Sequence, residues 1–239
     1  MNTGTKLLLL LFTIFLIVGS ECKAQSGWTS VSSGTNVDLH GVYLLSQEYF
    51  PSPGFAVGDN GTILKTTDQG QNWTSVSSGT AKTLNAVRFR EMDSGYIVGA
   101  NGTILRTTDQ GTHWVQQASG VTVGLNSVVT TLPNTGGKTA WVCGDSGTIL
   151  ITLNNGASWI QPVGGTGTTH SLHSISMFSE IGVGILYSCG DGGTVISSQS
   201  AGYTWDQMNA NPNYAYYSVS SDEDTTWVVG TDGIAFVTR

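Results

Sequence analysis

Gly58-Asp-Asn-Gly-Thr-Ile-Leu-Lys-Thr-Thr-Asp-Gln-Gly-Gln-Asn-Trp73 returns 41 residues later as Gly99-Ala-Asn-Gly-Thr-Ile-Leu-Arg-Thr-Thr-Asp-Gln-Gly-Thr-His-Trp114. Weaker copies begin at Gly144, Gly190 and Gly230. The closing tryptophan keeps step over nearly the whole chain: Trp28, Trp73, Trp114, Trp159 and Trp205 are spaced by 45, 41, 45 and 46 residues. A period of this length is read as a repeated supersecondary unit before any other feature is considered.

Each unit divides into four strand-sized pieces. The first carries Leu-x-x-Val or its equivalent, at Leu39/Val42, Leu84/Val87, Leu125/Val128, Leu172/Ile175 and Tyr216/Val219. The second places Phe55, Tyr96, Trp141, Tyr187 or Trp227 two residues before a Val or Cys that precedes Gly. Asp59-Asn60-Gly61 then reads as a tight hairpin turn, because Asn-Gly between β-rich runs tolerates the positive φ that turn needs. It leads into a third strand expected over residues 62–67, and the fourth is expected to start at the repeat tryptophan. No 3.6-residue apolar period appears, so helices should be few.

Four short strands per repeat of 40-odd residues are the signature of propeller blades. The expected fold is all-β: a five-bladed β-propeller of four-stranded antiparallel blades. The phase of the ends suggests how the ring closes. The chain opens on a fourth-strand sequence, Trp28-Thr-Ser-Val-Ser-Ser, matching Trp73-Thr-Ser-Val-Ser-Ser, and closes on a third-strand sequence around Gly233-Ile-Ala-Phe-Val. The N-terminal strand is therefore expected to complete the last blade and remove an open sheet edge. A half-ring completed by a second copy is the competing arrangement.

Ahead of the repeats, Lys6 precedes an apolar run from Leu7 to Val18 and a small residue, Ala24. Basic start, short apolar run and small residue describe a cleaved signal peptide over residues 1–24, with one domain over 25–239 beginning near Gln25. The run is too short to span a bilayer comfortably. Glu21 before Cys22 argues against lipidation at that cysteine. Losing Lys6, Glu21 and Lys23 takes the net charge from −7 to −8. Such an acidic surface repels phosphate backbones, so nucleic acid is not an expected partner.

Thr67-Asp68-Gln-Gly70-Gln-Asn-Trp73 and Thr108-Asp109-Gln-Gly111-Thr-His-Trp114 resemble Asp-box repeats, with Thr66 and Thr107 in the Ser/Thr position. Joined to Leu-x-x-Val and aromatic-x-Val-Gly, the pattern resembles the photosystem II stability/assembly factor family over nearly the whole mature chain. Members of that family resemble seven-bladed rings with a basic patch. Five units and only Arg88, Arg90, Arg106 and Arg239 are present here. The resemblance therefore implies the fold, and the two departures argue against a photosynthetic role. Later boxes exchange the acid for Asn154, before Gly156 and Trp159, and for Ser200, before Gly202 and Trp205. Any short polar side chain can bond the turn's N–H groups, so the box is read as structural.

Chemistry is harder to find. A sialidase-type site resembles three arginines on a carboxylate with a Tyr–Glu pair, and four scattered arginines nominate none. Two carboxylates across a sugar would serve other glycosidases, but no pair stands out. His170-Ser-Leu-His173 lacks an accompanying Cys or acid, so no metal or cofactor is expected. Asp59, Asp145, Asp191 and Asp232 sit on equivalent hairpins and are read as turn residues. Cys143 and Cys189 replace Val57, Val98 and Val229, and are expected to be free core thiols.

Binding candidates come from repeat position. His40, Asn85, Asn126, His173 and Tyr217 follow the first Leu or its equivalent, one per unit, facing the expected channel. Loops at residues 77–83, 119–124, 164–170 and 210–214 would form a rim, with His170 and Tyr214 in the two richest in Gly, Thr, Asn and Tyr. The expected function is a secreted or periplasmic, monomeric, non-catalytic module presenting this rim to a protein partner. A carbohydrate-active hydrolase or glycan-binding propeller is the alternative.

Overall fold

The computed structural model describes residues 27, 29–45, 53–131, 138–178, 184–208, 210–222 and 225–238. By contacts the chain divides after Ser30, and every strand belongs to the unit Val31–Arg239. The signal-peptide segment and Trp28 lie outside the described residues.

The described residues fold into five antiparallel meanders. The first sheet holds β1 (Leu39–Leu44), β2 (Gly54–Gly58), β3 (Ile63–Thr66) and β4 (Thr74–Val76). The second holds β5 (Leu84–Phe89), β6 (Gly95–Gly99), β7 (Thr103–Thr107) and β8 (Val115–Gln117). The third has β9 (Leu125–Thr130), β10 (Ala140–Gly144) and β11 (Thr148–Thr152). The fourth has β12 (Leu172–Phe178), β13 (Ile185–Gly190), β14 (Val195–Ser198) and β15 (Asp206–Gln207). The fifth has β16 (Tyr216–Ser221), β17 (Thr226–Gly230) and β18 (Ala235–Thr238).

Two sheets thus depart from the expected four strands. In the third, one bridge, Ile151 to Ile160, replaces the outer strand. The next hydrogen-bonded pair would set Ile149 against Pro162, and proline has no N–H to donate, so the ladder stops. In the fifth, β18 is the last described strand and its outer edge is unpaired among the described residues. The outer strands also begin one residue after the repeat tryptophan, at Thr74 and Val115.

The hairpins between second and third strands obey local chemistry. Asn60 and Gly61 have φ of 55° and 69°, and Asn101 with Gly102, Ser146 with Gly147 and Asp232 with Gly233 repeat the pattern. Two consecutive positive φ values define the turn whose twist matches the flanking strands. The glycine ending each second strand answers a different need. A Cβ at Gly58, Gly99, Gly144, Gly190 or Gly230 would run into the backbone carbonyl of Asp38, Thr83, Gly124, Ser171 or Ala215.

The sheets stand side by side through their first strands, in the order β1, β5, β9, β12, β16. Among the described residues the hydrophobic core is accordingly divided into four layers, each shared by two neighbouring sheets. Phe55, Val57 and Ile63 of the first sheet meet Leu84, Val87, Phe89, Ile97, Leu105 and Trp114 of the second. The same positions recur between the second and third sheets, the third and fourth, and the fourth and fifth. Apolar burial is the main favourable term, at about 1.5–3 kcal/mol per large side chain. In this fold it arises between sheets, so each meander draws its core from its neighbours.

The ends of the succession show the converse. Leu39, Val42 and Leu44 occupy the positions of Leu84, Val87 and Phe89, yet Val42 is 74% exposed where Val87 is 6% exposed. At the other end Trp227 is 50% exposed, whereas Phe55, at the same repeat position, is wholly buried. Among the described residues, β1 and β16 are not in extended contact.

Candidate functional site

Pairing between first and second strands slips once in every sheet, between Leu39 and Gly41, Leu84 and Ala86, Leu172 and Ser174, and Tyr216 and Ser218. In the third sheet Gly144 pairs with Leu125 and Cys143 with Ser127. The residues left out of the ladder are His40, Asn85, Asn126, His173 and Tyr217. Each is the extra residue of a β-bulge, a device that takes a side chain out of the pleat and re-aims it.

The five do different things once re-aimed. Asn85 Nδ2 donates to the Leu125 carbonyl at 2.8 Å, and Asn126 Nδ2 donates to the Leu172 carbonyl at 2.9 Å. Both asparagines therefore staple one first strand to the next. Asn126 also donates to Asp145 Oδ1 at 3.0 Å. His40 Nε2 lies 3.0 Å from Asp59 Oδ1, and His173 Nε2 lies 2.8 Å from Asp191 Oδ1. The hydrogen bond from His40, then that from Thr83, hold the Asp59 carboxyl below its ordinary pKa. His173 packs against Tyr217 with ring centroids 5.6 Å apart, and Tyr217 is exposed. The open chemistry of this row lies with His40, His173 and Tyr217.

In sequence the acidic partners Asp59, Asp145 and Asp191 read as turn residues only. The signal that could have linked them to the bulges is a constant offset of 18 or 19 residues. Among the described residues, no group of three or more His, Cys, Asp or Glu is placed to hold a metal ion.

Two cavities open beside the loops at residues 164–170 and 210–214. One, of about 480 Å³, is bounded by Ser146, Thr148, Gln161 and Thr166. The other, of about 400 Å³, is bounded by His170, Thr194, Gln207 and Pro212. They share Gly167, Thr168 and Thr169, so together they make one groove running from the third sheet to the fourth. His170 Nδ1 is held 3.0 Å from Thr194 Oγ1 at its edge. The groove offers hydroxyls and backbone groups and almost no charge. Tyr214 is not on its wall, and stacks edge-on to Phe236 at 6.4 Å. The loops at 77–83 and 119–124 line neither cavity.

The boxes form a second constellation. Thr66 Oγ1 donates to Asp68 Oδ1 at 2.8 Å and accepts the Gly70 N–H at 2.9 Å. Asp68 accepts the Asn72 N–H at 2.9 Å, and Thr107 with Asp109 repeats this around Gly111 and His113. Backbone N–H groups, from Asn72 and His113 respectively, pull both carboxyls down to about 2. Asn154 and Ser200 keep the same loop with neutral oxygens, accepting from Ser158 and Thr204 at 2.9 and 2.8 Å.

Each later box also latches onto the preceding sheet. Lys65 Nζ donates to the Gln110 carbonyl at 2.7 Å, Tyr96 Oη to Asn155 Oδ1 at 3.1 Å, and Trp141 Nε1 to the Ala201 carbonyl at 2.8 Å. Beneath these bonds the box glycine lies on an aromatic ring. A Cβ at Gly156 would come within 2.9 Å of Tyr96, and one at Gly202 within 2.6 Å of Trp141. The box tryptophan follows: Trp114 stands edge-on to Phe55 at 6.2 Å, and Trp159 to Tyr96 at 5.6 Å. Gly70, in the first box, meets only its own Trp73.

Cys143 and Cys189 are free and buried in the layers between sheets. Burial pushes the Cys189 thiol up to about 12 and the Cys143 thiol up as well.

Meanders joined through their first strands, each with a bulged residue at the same place, define a repeat protein of the β-propeller class. The family model for Photosynthesis system II assembly factor YCF48 matches residues 21–115 and, in a second register, residues 71–163. These matches take in more than half of the 239 residues, and the chain belongs to that family.

Among solved structures, YCF48 bound to D1 peptide is 19% identical, with a TM-score of 0.67 over 89% of this chain and 66% of that one. The chain therefore spans slightly less than two thirds of that protein's length. YCF48 from Cyanidioschyzon merolae is 18% identical, with a TM-score of 0.67 over 89% of this chain and 70% of that one. An ancestral GH74 enzyme is 13% identical, with a TM-score of 0.63 over 88% of this chain and 32% of that one. At these identities the likenesses concern the fold. No curated protein matches the chain.

Proposed function

We propose that this chain is an exported, non-catalytic assembly module that holds an extended, uncharged stretch of a partner polypeptide in the groove at residues 164–170. The observation that carries the reading is the continuous groove walled by threonine hydroxyls and glycine backbone, on a member of an assembly-factor family. An extended peptide presents backbone donors and acceptors that such walls satisfy, and rigid walls lower the cost of ordering it. The peptide-bound YCF48 structure supports a protein ligand by analogy. The leader-like residues 1–24 support work in the envelope or outside the cell.

Within this proposal the five sheets are five blades. Residues 29–33 form no strand in the structure, so completion of the fifth sheet by the N-terminal segment stays an expectation of the sequence.

Thr169 is exposed and borders both halves of the groove. Crosslinked cells of the native host, expressing tagged wild type or Thr169→Arg, give the test. A partner recovered with wild type and reduced about tenfold or more by the substitution, a loss of ~1.4 kcal/mol, supports the groove. Equal recovery with both proteins sinks the groove as the site, and no recovery with either sinks a stable protein partner.

A further inference from the structure

The two uncovered ends of the sheet succession are the two halves of one interface. Wherever two sheets meet, the earlier one contributes a second-strand aromatic, the residue two beyond it and the start of its third strand. The later one contributes the Leu-x-x-Val face of its first strand and, in the second, third and fourth sheets, its box tryptophan. Phe55, Val57 and Ile63 meet Leu84, Val87 and Trp114 in this way, and Tyr96, Val98 and Ile104 meet Leu125, Val128 and Trp159. The fifth sheet carries the earlier half, Trp227, Val229 and Ala235, with nothing seated on it among the described residues. The first sheet carries the later half, Leu39, Val42, Leu44 and Trp73, likewise uncovered. Trp227, Val229, Leu39, Val42 and Leu44 are all exposed, although their equivalents in the inner sheets form the core. Contiguous apolar surface of this kind marks an interaction face.

We propose that these faces join copies of this chain end to end, the first sheet of one molecule packing on the fifth sheet of the next. The occupant is a second copy because the chain itself displays the complementary half, in a packing it already uses four times internally. Polar complementarity follows the same rule. Inside the chain, Lys65, Tyr96 and Trp141 latch the box of the following sheet. The Trp227 indole N–H stands at the position of the Tyr96 hydroxyl and Trp141 indole, and the first box of a neighbouring copy supplies the Gln69 carbonyl at the position of the Gln110 carbonyl. Because the two faces differ, the contact is heterologous and generates a ring if the rotation closes or an open chain if it does not. Such an oligomer departs from the monomer expected from the sequence.

The contact goes beyond the proposed groove and does not rest on it.

Light scattering coupled to size-exclusion chromatography, on the protein recovered after export, is read over a dilution series. The expected result is a mass at least twice that of the chain, falling on dilution. Val42→Asp spoils one face and Val229→Asp the other, so each variant alone should run as a monomer. Mixed together, they retain one intact face apiece and should form a dimer that grows no further. A variant that had merely failed to fold cannot give this rescue. Wild type running as a monomer at every concentration overturns the proposal. So does continued association of either single variant, or a mixture that stays monomeric.

Discussion

Trp73 and Trp114 close nearly identical boxes, so replacing each by alanine asks whether a box tryptophan stabilises its own sheet or the joint with the sheet before it. Trp114 is 8% exposed and packs edge-on against Phe55 of the first sheet and Phe89 of its own. Its removal empties a cavity between two sheets that cannot collapse independently, a change costing about 3–5 kcal/mol. Trp73 has the same local hydrogen bonds around it but no preceding sheet among the described residues, and is half-buried. Losing roughly half of the ~3 kcal/mol due to full burial, Trp73→Ala should cost about 1–1.5 kcal/mol. For a chain of this length the larger change lowers the thermal midpoint by roughly 6–20 °C and the smaller by a few degrees. The assay is urea and thermal unfolding followed by tryptophan fluorescence, at dilutions where the chain is monomeric. Equal costs at the two positions would refute the argument, because they would mean that Trp73 is covered as Trp114 is.

Three further outcomes are expected. Ala201 holds φ of 55° in the fourth box, a region that costs a residue with a Cβ about 1–2 kcal/mol, so Ala201→Gly should raise the urea midpoint. Asp68 and Asp109 titrate near 2 instead of 3.8, so their contribution is whole above about pH 4 and drains away as the pH falls towards 2. Asp68→Asn with Asp109→Asn, imitating the natural Asn154 box, should flatten unfolding curves compared between pH 4 and pH 2. Cys143 and Cys189 should resist a thiol-specific reagent in the folded protein and react in denaturant, since burial raises both thiols. Labelling followed by mass spectrometry reads this directly.

The repeat made the strands and hairpins legible, because tight turns and alternating β-rich runs are local properties. The third sheet's lost outer strand was legible in principle too. Pro162 stands where its ladder needs an N–H, but the tryptophan landmark at Trp159 concealed it. The latches were beyond sequence reading for a physical reason. Tyr96 to Asn155 and Trp141 to Ala201 join residues 59 and 60 apart, across repeats and not within one. Repeat comparison aligns equivalent positions and says nothing of which different positions touch. The row at His40, Asn85, Asn126, His173 and Tyr217 was found by alignment alone. That two of these five side chains are committed to neighbouring backbone, and that the bulge frees all of them from the pleat, needed the register. The groove lies beside the Gly- and Thr-rich loops at residues 164–170 and 210–214, and away from the two loops closer to the first sheet.

The recurrent bulge has a consequence for how such a protein changes over generations. A residue inside a ladder is judged by the partners on either side of it, so a new side chain there must satisfy packing before it can acquire a use. The bulged residue is excused from that judgement. Its backbone kink is the same whether the position holds His, Asn or Tyr, as the five sheets already demonstrate. Mutation can therefore sample the three sites that staple no neighbouring strand, His40, His173 and Tyr217, one at a time without retuning the scaffold, and there recognition and stability are free to evolve at separate rates.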